Sequence, residues 1–195
     1  MCRSTGRPTS GKGPIRLGTY NIWNGRNGGL EAALRRMSQD NMDLGILKET
    51  KLTDGVYTRR AYGYSVIATD APSRHPSGVA IFYRSVPHFV VEAVEKFGPN
   101  ILGFQIATGA RRWYIVGVYL APEDTTMMER VSKAIRSRSR GAELLVAGDF
   151  NVDLASPQGD WRAEDIATPL ATEGLEDMAR HLLPRENMWC QDRRT

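Results

Sequence analysis

Four apolar runs in this chain each end in side chains able to handle a metal ion or a phosphate. Leu145-Val146-Ala147-Gly148-Asp149-Phe150-Asn151 ends in a carboxylate and an amide two residues apart. Positions i and i+2 of an extended chain share a face, so Asp149 and Asn151 are expected to project together. Asp149 would orient or deprotonate a water, and Asn151 would hydrogen-bond a phosphate oxygen without adding negative charge. Leu44-Gly45-Ile46-Leu47-Lys48-Glu49-Thr50-Lys51-Leu52 ends in Glu49. A carboxylate there suits Mg2+, which takes one or two carboxylates and keeps several waters. Thr19-Tyr20-Asn21-Ile22-Trp23-Asn24-Gly25 ends in amides and a glycine. Val116-Gly117-Val118-Tyr119-Leu120-Ala121-Pro122 carries a phenol in Tyr119, either a phosphate donor or a core-edge residue. Singly, each has an ordinary reading: an Asp/Asn turn, or an exposed balance of Glu49 against Lys48 and Lys51. Together, if the four ends converge, they make a cluster of two carboxylates, two amides and a phenol. Such a cluster is a site for a metal and a phosphate.

The positioning elements follow from the residue pattern. Residues 15–22 alternate apolar and polar and are rich in β-formers, so they read as a strand. Glycines and asparagines break it, and Leu30, Ala33, Leu34 and Met37 then recur at helical spacing. Glu31 stands early and Arg35 and Arg36 late, as the helix dipole favours. Residues 44–47 are short and wholly apolar, as in a buried central strand. Residues 64–68, 79–83, 89–97, 101–107 and 113–119 are five further strands. The Pro, Gly, Asn and Arg turns between them predict antiparallel hairpins. Within 89–97, Phe89, Val91 and Ala93 make one apolar face, and Val90, Glu92 and Val94 a mixed one. Thr126-Met127-Met128-Glu129 fits a capping box, with Met128, Val131 and Ile135 as the helical stripe and Gly141 as C-cap. Residues 144–150 form another buried strand, and residues 161–183 hold helical pieces around Pro169 and Gly174. Strand–helix–strand units beside hairpins imply an α+β domain of two packed sheets with outer helices.

Composition sets bounds on function. The chain has 195 residues, 41% hydrophobic and 25% charged, ordinary for one soluble globular domain. No apolar run approaches the ~20 residues of a membrane helix. Residues 1–13 are polar and basic, lack the apolar centre of a secretory signal, and read as a disordered tail before a domain over 14–195. Cys2 and Cys190 stand near opposite ends, without metal spacing or a disulfide framework. That usage fits a reducing, intracellular compartment, cytoplasmic or nuclear. A net charge of +4 and a pI of about 9.2 suit a polyanionic partner.

Thr19-Tyr20-Asn21, Leu47-Lys48-Glu49-Thr50-Lys51, Ser77-Gly78-Val79-Ala80-Ile81, Val118-Tyr119-Leu120-Ala121-Pro122 and Gly148-Asp149-Phe150-Asn151 occur in an order and spacing that resemble the endonuclease/exonuclease/phosphatase superfamily. The flavour is similar to retrotransposon-type or apurinic-type endonuclease domains. The resemblance implies a four-layer α/β sandwich of two packed mixed β-sheets with outer helices. It also implies a Mg2+ cofactor, with Mn2+ as substitute, and hydrolysis of a phosphodiester. By the same resemblance Glu49 ligates the metal and Asn21 supports metal and phosphate. Asp149 activates the attacking water, Asn151 contacts the phosphate, and Tyr119 hydrogen-bonds it.

Two departures stand out. Lys48 occupies the place where the family has Gln; it either competes with the metal or points away from Glu49, since strand neighbours face opposite sides. The family's closing Asp strand and Ser-Asp-His have no counterpart here; His75, His88 and His181 stand in other contexts. The fold is therefore expected to be incomplete at its C-terminus and the activity weakened. Three functions stay open: a DNA endonuclease, a phosphodiesterase or phosphatase acting on lipid or small-molecule phosphates, and an inactive nucleic-acid-binding remnant. Arg111-Arg112 and Lys133, Arg136, Arg138 and Arg140 are the candidate contacts to a DNA backbone, or simply a solvated face.

Overall fold

The computed structural model describes residues 15–53, 55–59, 62–71, 77–121, 124, 126–152 and 162–178, with backbone alone for 56–59. The basic tail, Pro72, His75, Pro76, Pro122, Trp161, His181 and residues 189–195 lie outside the described residues.

The chain forms β1 (Leu17–Asn21), α1 (Gly29–Gln39), β2 (Leu44–Lys48), β3 (Gly55–Arg59), β4 (Tyr64–Ala68) and β5 (Val79–Arg84). It continues with β6 (Phe89–Lys96), β7 (Ile101–Thr108), β8 (Arg111–Tyr119), α2 (Met127–Arg136), β9 (Glu143–Asp149) and α3 (Arg162–Thr172). The first sheet has the order β1-β2-β5-β4-β3 and the second β6-β7-β8-β9. Both are mixed, because β1 pairs with β2 and β8 with β9 in parallel while every other pair is antiparallel.

Two apolar layers explain the stacking. Between the sheets, Leu44, Ile46, Val79 and Ile81 meet Leu102, Phe104, Ile106 and Ile115. On the other face of the first sheet, Leu30, Ala33, Leu34 and Met37 of α1 pack on Leu47, Tyr64, Val66 and Phe82. A fully buried Leu or Phe stabilises by about 1.5–3 kcal/mol, so these four helical positions suffice to seat α1. Helix α2 lies against β7 and β8 and buries Met127, Val131, Ala134 and Ile135. The result is helix, sheet, sheet, helix: the four-layer sandwich of two mixed sheets. Residues 1–151 form one compact unit and residues 152–195, with α3, a second. Helix α3 runs through Pro169, which removes one backbone donor but does not end it.

Local details differ from the sequence expectations for physical reasons. Strand β3 carries no clear pattern in the sequence: it is short, sits at a sheet edge and pairs only with β4. A bulge between Val91 and Ala93 interrupts the β6 register, so the apolar alternation shifts and Val94 joins Phe89 and Val91 at the intersheet core. Thr126 does not cap α2, since its backbone is already helical and its hydroxyl donates to Asp124 Oδ1 at 2.8 Å. Ser137, not Gly141, is the C-cap of α2; Gly141, at φ 84°, turns the chain into β9. The buried stripe of α2 begins at Met127 rather than Met128.

Candidate active site

The alternation of four strands brings their polar ends together. In β1, Leu17 packs into the intersheet core, so Thr19 and Asn21 share that face. In β2, Leu44 and Ile46 face the same core, and two residues on so does Lys48. In β8, Ile115 and Tyr119 face it, and in β9 Leu145 and Ala147, hence also Asp149. Pairing aligns the ends: Asn21 lies opposite Lys48, and Tyr119 opposite Asp149. Asn21, Lys48, Tyr119 and Asp149 thus meet at one end of the gap between the sheets, all within the first compact unit.

Glu49 joins them by a break in alternation. A regular strand would send it to the α1 face with Leu47. Instead Glu49 takes φ 53°, a left-handed conformation uncommon for a residue with a Cβ. Its neighbours hold it there: Thr50 and Lys51 donate backbone N–H groups to the carbonyls of Gly78 and Ser77 at 3.2 Å each. Gly78 has φ +95°, and a Cβ on it would stand 2.5 Å from Thr50 Oγ1, so this apposition requires glycine. The Glu49 side chain is nearly buried, at 8% exposure, and Oε1 accepts the Asn21 Nδ2–H bond at 2.7 Å.

Lys48 points into the site rather than away. Its Nζ lies 3.2 Å from Asp149 Oδ2, and the other oxygen, Oδ1, accepts the Asn151 backbone N–H at 3.0 Å. Strand geometry explains the outcome: Lys48 follows the regular period on the intersheet face, and it is Glu49 that departs from it.

Asn151 also reaches the site by a route other than simple i, i+2 projection. The strand ends at Asp149, and Asn151 turns back at φ 49°. Its Nδ2 donates to the Leu120 carbonyl at 2.7 Å, and its amide also bonds the Tyr119 hydroxyl. Tyr119, 5% exposed, is further hydrogen-bonded to Glu49. Burial, then the charge of Glu49 and its hydrogen bond, push the phenol up to about 12. The hydroxyl therefore keeps its proton at neutral pH and is a donor.

One contributor carried no sequence signal. Asn100, in the β6–β7 turn, accepts the Gly78 N–H on Oδ1 at 2.9 Å and the Tyr119 N–H on its carbonyl at 2.9 Å. It ties the two sheets together beside the cluster. A turn asparagine in Gly98-Pro99-Asn100 looks like punctuation until both partners are in place.

The donor set fits Mg2+. No group of three or more His, Cys, Asp or Glu able to hold a metal gathers among the described residues. A single buried carboxylate steadied by an amide, with water completing the shell, is nonetheless how Mg2+ commonly binds. Asn21 supports Glu49 through its N–H, while its Oδ1 accepts the Trp23 backbone N–H at 2.8 Å.

The basic clusters lie elsewhere. Arg111 and Arg112 begin β8 and Tyr119 ends it, a span of about 25 Å along the strand. Because β8 and β9 are parallel with α2 as their crossover, Lys133, Arg136, Arg138 and Arg140 also fall toward the Arg111 end. Among the described residues, the cations next to the site are Lys48 and, in the adjoining loops, Arg26 and Lys51, joined by an Arg26 Nε–H bond to the Lys51 carbonyl at 2.7 Å. His88 stands between β5 and β6, its ring 5.0 Å from that of Phe89. No described helix is long and apolar enough to cross a membrane.

The model of the Endonuclease/Exonuclease/phosphatase family matches residues 18–186. Among solved structures, the endonuclease domain of TRAS1, a telomere-specific non-LTR retrotransposon, superposes with a TM-score of 0.66 at 18% identity, covering 84% of this chain and 72% of that one. An AP endonuclease from Archaeoglobus fulgidus gives 0.64 at 16%, covering 86% and 74%. A mannosyl-6-phosphatase from Bacteroides thetaiotaomicron gives 0.55 at 13%, covering 80% and 70%. At these identities the likeness is one of fold. No curated protein matches the chain in sequence.

Proposed function

Because the chain belongs to the endonuclease/exonuclease/phosphatase family, we propose that it is a Mg2+-dependent phosphodiester hydrolase acting on DNA, of the retrotransposon-type endonuclease kind. The carrying observation is the meeting of Asn21–Glu49 with Tyr119 and Asp149–Asn151 at one end of the intersheet gap.

In this reading Glu49 holds the metal and Asn21 orients Glu49. Bound Mg2+ would offset charge on the phosphoryl oxygens and the departing alkoxide. Asp149 Oδ2 accepts a hydrogen bond from the attacking water and takes its proton. The Tyr119 hydroxyl and the Asn151 amide donate to non-bridging phosphate oxygens, stabilising charge as it grows. For this the Tyr119 hydroxyl turns from Glu49 to the substrate. Lys48 Nζ adds a fixed positive charge beside Asp149. Water supplies the proton taken up by the leaving oxygen.

Supercoiled plasmid nicking in Mg2+ tests the assignment, with Asp149→Ala as control. Nicking by the parent and none by D149A supports it. Equal nicking by both, or none by either, removes the catalytic claim. Release of inorganic phosphate from a sugar phosphate without nicking would move the assignment to a phosphatase.

A further inference from the structure

Trp23 is the most exposed of the large apolar side chains among the described residues, at 73%. It stands two residues beyond Asn21, and its own backbone N–H is bonded to that side chain. Since Asn21 Nδ2 in turn holds Glu49, one amide side chain links the indole's backbone to the candidate metal carboxylate. The backbone that carries the indole is thereby tied to the chemistry.

The backbone around it is costly and pinned. Trp23 takes φ 58°, which bulky residues avoid, and such strain persists where the surroundings over-determine it, commonly at ligand-binding sites. Asn24 N–H donates to the Ile22 carbonyl at 2.5 Å and Gly25 N–H to the Thr50 carbonyl at 2.6 Å. A Cβ on Gly25 would stand 2.8 Å from that same Thr50 oxygen, so the loop closes only with glycine there. The closure turns the chain sharply and leaves the indole outside the apolar layers. An aromatic ring held in water beside a phosphate site, with Arg26 three residues on and bonded to the Lys51 carbonyl, has the makings of a nucleic-acid contact. A flat π-face stacks on any base, and nearby cations take the flanking phosphates. Neither a lipid chain nor a small sugar phosphate needs an exposed indole face on a pinned backbone.

We propose that Trp23 is the platform on which a nucleobase next to the scissile phosphate stacks, so that the site takes nucleic acid with at least one unstacked base. The inference rests on the phosphodiesterase reading above and names its substrate class. The indole fixes the strand's position while Glu49, Asp149 and Tyr119 face the phosphate.

The test is binding of a fluorescein-labelled 12-nucleotide single strand, followed by anisotropy in EDTA so that no cleavage occurs. Trp23→Ala is expected to weaken binding about ten- to a hundredfold, the size of one base–aromatic stack, whereas Trp23→Phe stays within a few-fold of the parent. Strands with one abasic nucleotide walked along the sequence provide the second arm. At one position the missing base should reproduce the loss, and there Trp23→Ala should add nothing further. The melting temperature of each variant confirms folding, since an exposed side chain is not needed for it. Equal binding by parent and Trp23→Ala, or a tryptophan effect indifferent to every abasic position, overturns the stacking inference and leaves the phosphodiesterase reading standing. No binding of any strand by the parent overturns the stacking inference, while the phosphodiesterase reading stands or falls on the nicking assay.

Discussion

Lys48 Nζ and Asp149 Oδ2 are 3.2 Å apart, a contact between residues 101 apart in sequence. The Lys48 side chain is 12% exposed and that of Asp149 32%. A partly exposed pair like this adds at most about 1 kcal/mol to stability, so its interest is electrostatic. It places a positive charge among the carboxylates that would otherwise attract a divalent cation.

Replacing Lys48 with Gln should therefore tighten Mg2+ binding. Two unit charges 4 Å apart at a protein surface interact by about 4 kcal/mol before salt screening and solvent rearrangement, and a three- to tenfold gain in affinity is expected. Titration calorimetry, or Mn2+ paramagnetic resonance as a proxy, reads this without activity. Lys48→Arg should match the parent. If K48Q and K48R bind metal alike, the charge of Lys48 does not act on the metal site.

Tyr119→Phe removes only the hydroxyl that bonds Glu49 and Asn151. The fold should survive with a loss of about 0.5–1.5 kcal/mol, the net worth of a hydrogen bond. Turnover should fall about a hundredfold or more, as when one donor to a developing oxyanion is removed. The fall should appear in kcat rather than KM. Unchanged kcat in a folded Y119F protein would falsify the donor role.

Alkaline pH offers a check on burial. Burial raises the Tyr114 and Tyr119 phenols from 10.0 to about 12 each. A group whose folded pKa is raised holds its proton more tightly when folded. The stability this gives is whole below pH 10 and is lost as pH rises toward about 12. Denaturant midpoints in EDTA should decline across that window, less steeply in Y119F. A decline of equal slope in parent and Y119F would show that the Tyr119 phenol is not held protonated.

Gly148→Ala tests how Asp149 is delivered. A Cβ at residue 148 would collide with the carbonyl of Val118 on the neighbouring strand, and Gly148 sits at φ 151°. Relief requires β9 to move off β8, carrying Asp149 from Tyr119. A loss of about 1–3 kcal/mol is expected for forcing such backbone, together with loss of nicking. A G148A protein as stable and as active as the parent would show that β9 has slack.

Local pattern made much of the fold legible. Leu30, Ala33, Leu34 and Met37 were readable as one face of a helix and are the four buried positions of α1. The five strands between residues 64 and 119 were readable from β-formers bounded by turn residues, and each lies where expected. The polar strand ends carrying Asn21, Glu49, Tyr119, Asp149 and Asn151 were visible for the same reason: burial forces apolar residues into a period of two, and the residue that ends the run stands out.

Contacts between distant segments decided the rest. Lys48 turns inward because β2 keeps its period, and Glu49 joins it because pairing with residues 77 and 78 holds a left-handed φ. The link made by Asn100 and the contact of Lys48 with Asp149 exist only once two sheets stack, and Tyr119 meets Asp149 only once β8 and β9 pair. Sequence by itself determined which residues could do the chemistry, since side-chain type and local period are properties of short stretches. Only the tertiary structure decided which way Lys48, Glu49 and Trp23 point, because backbone conformation at a strand end is set by hydrogen bonds to segments far along the chain.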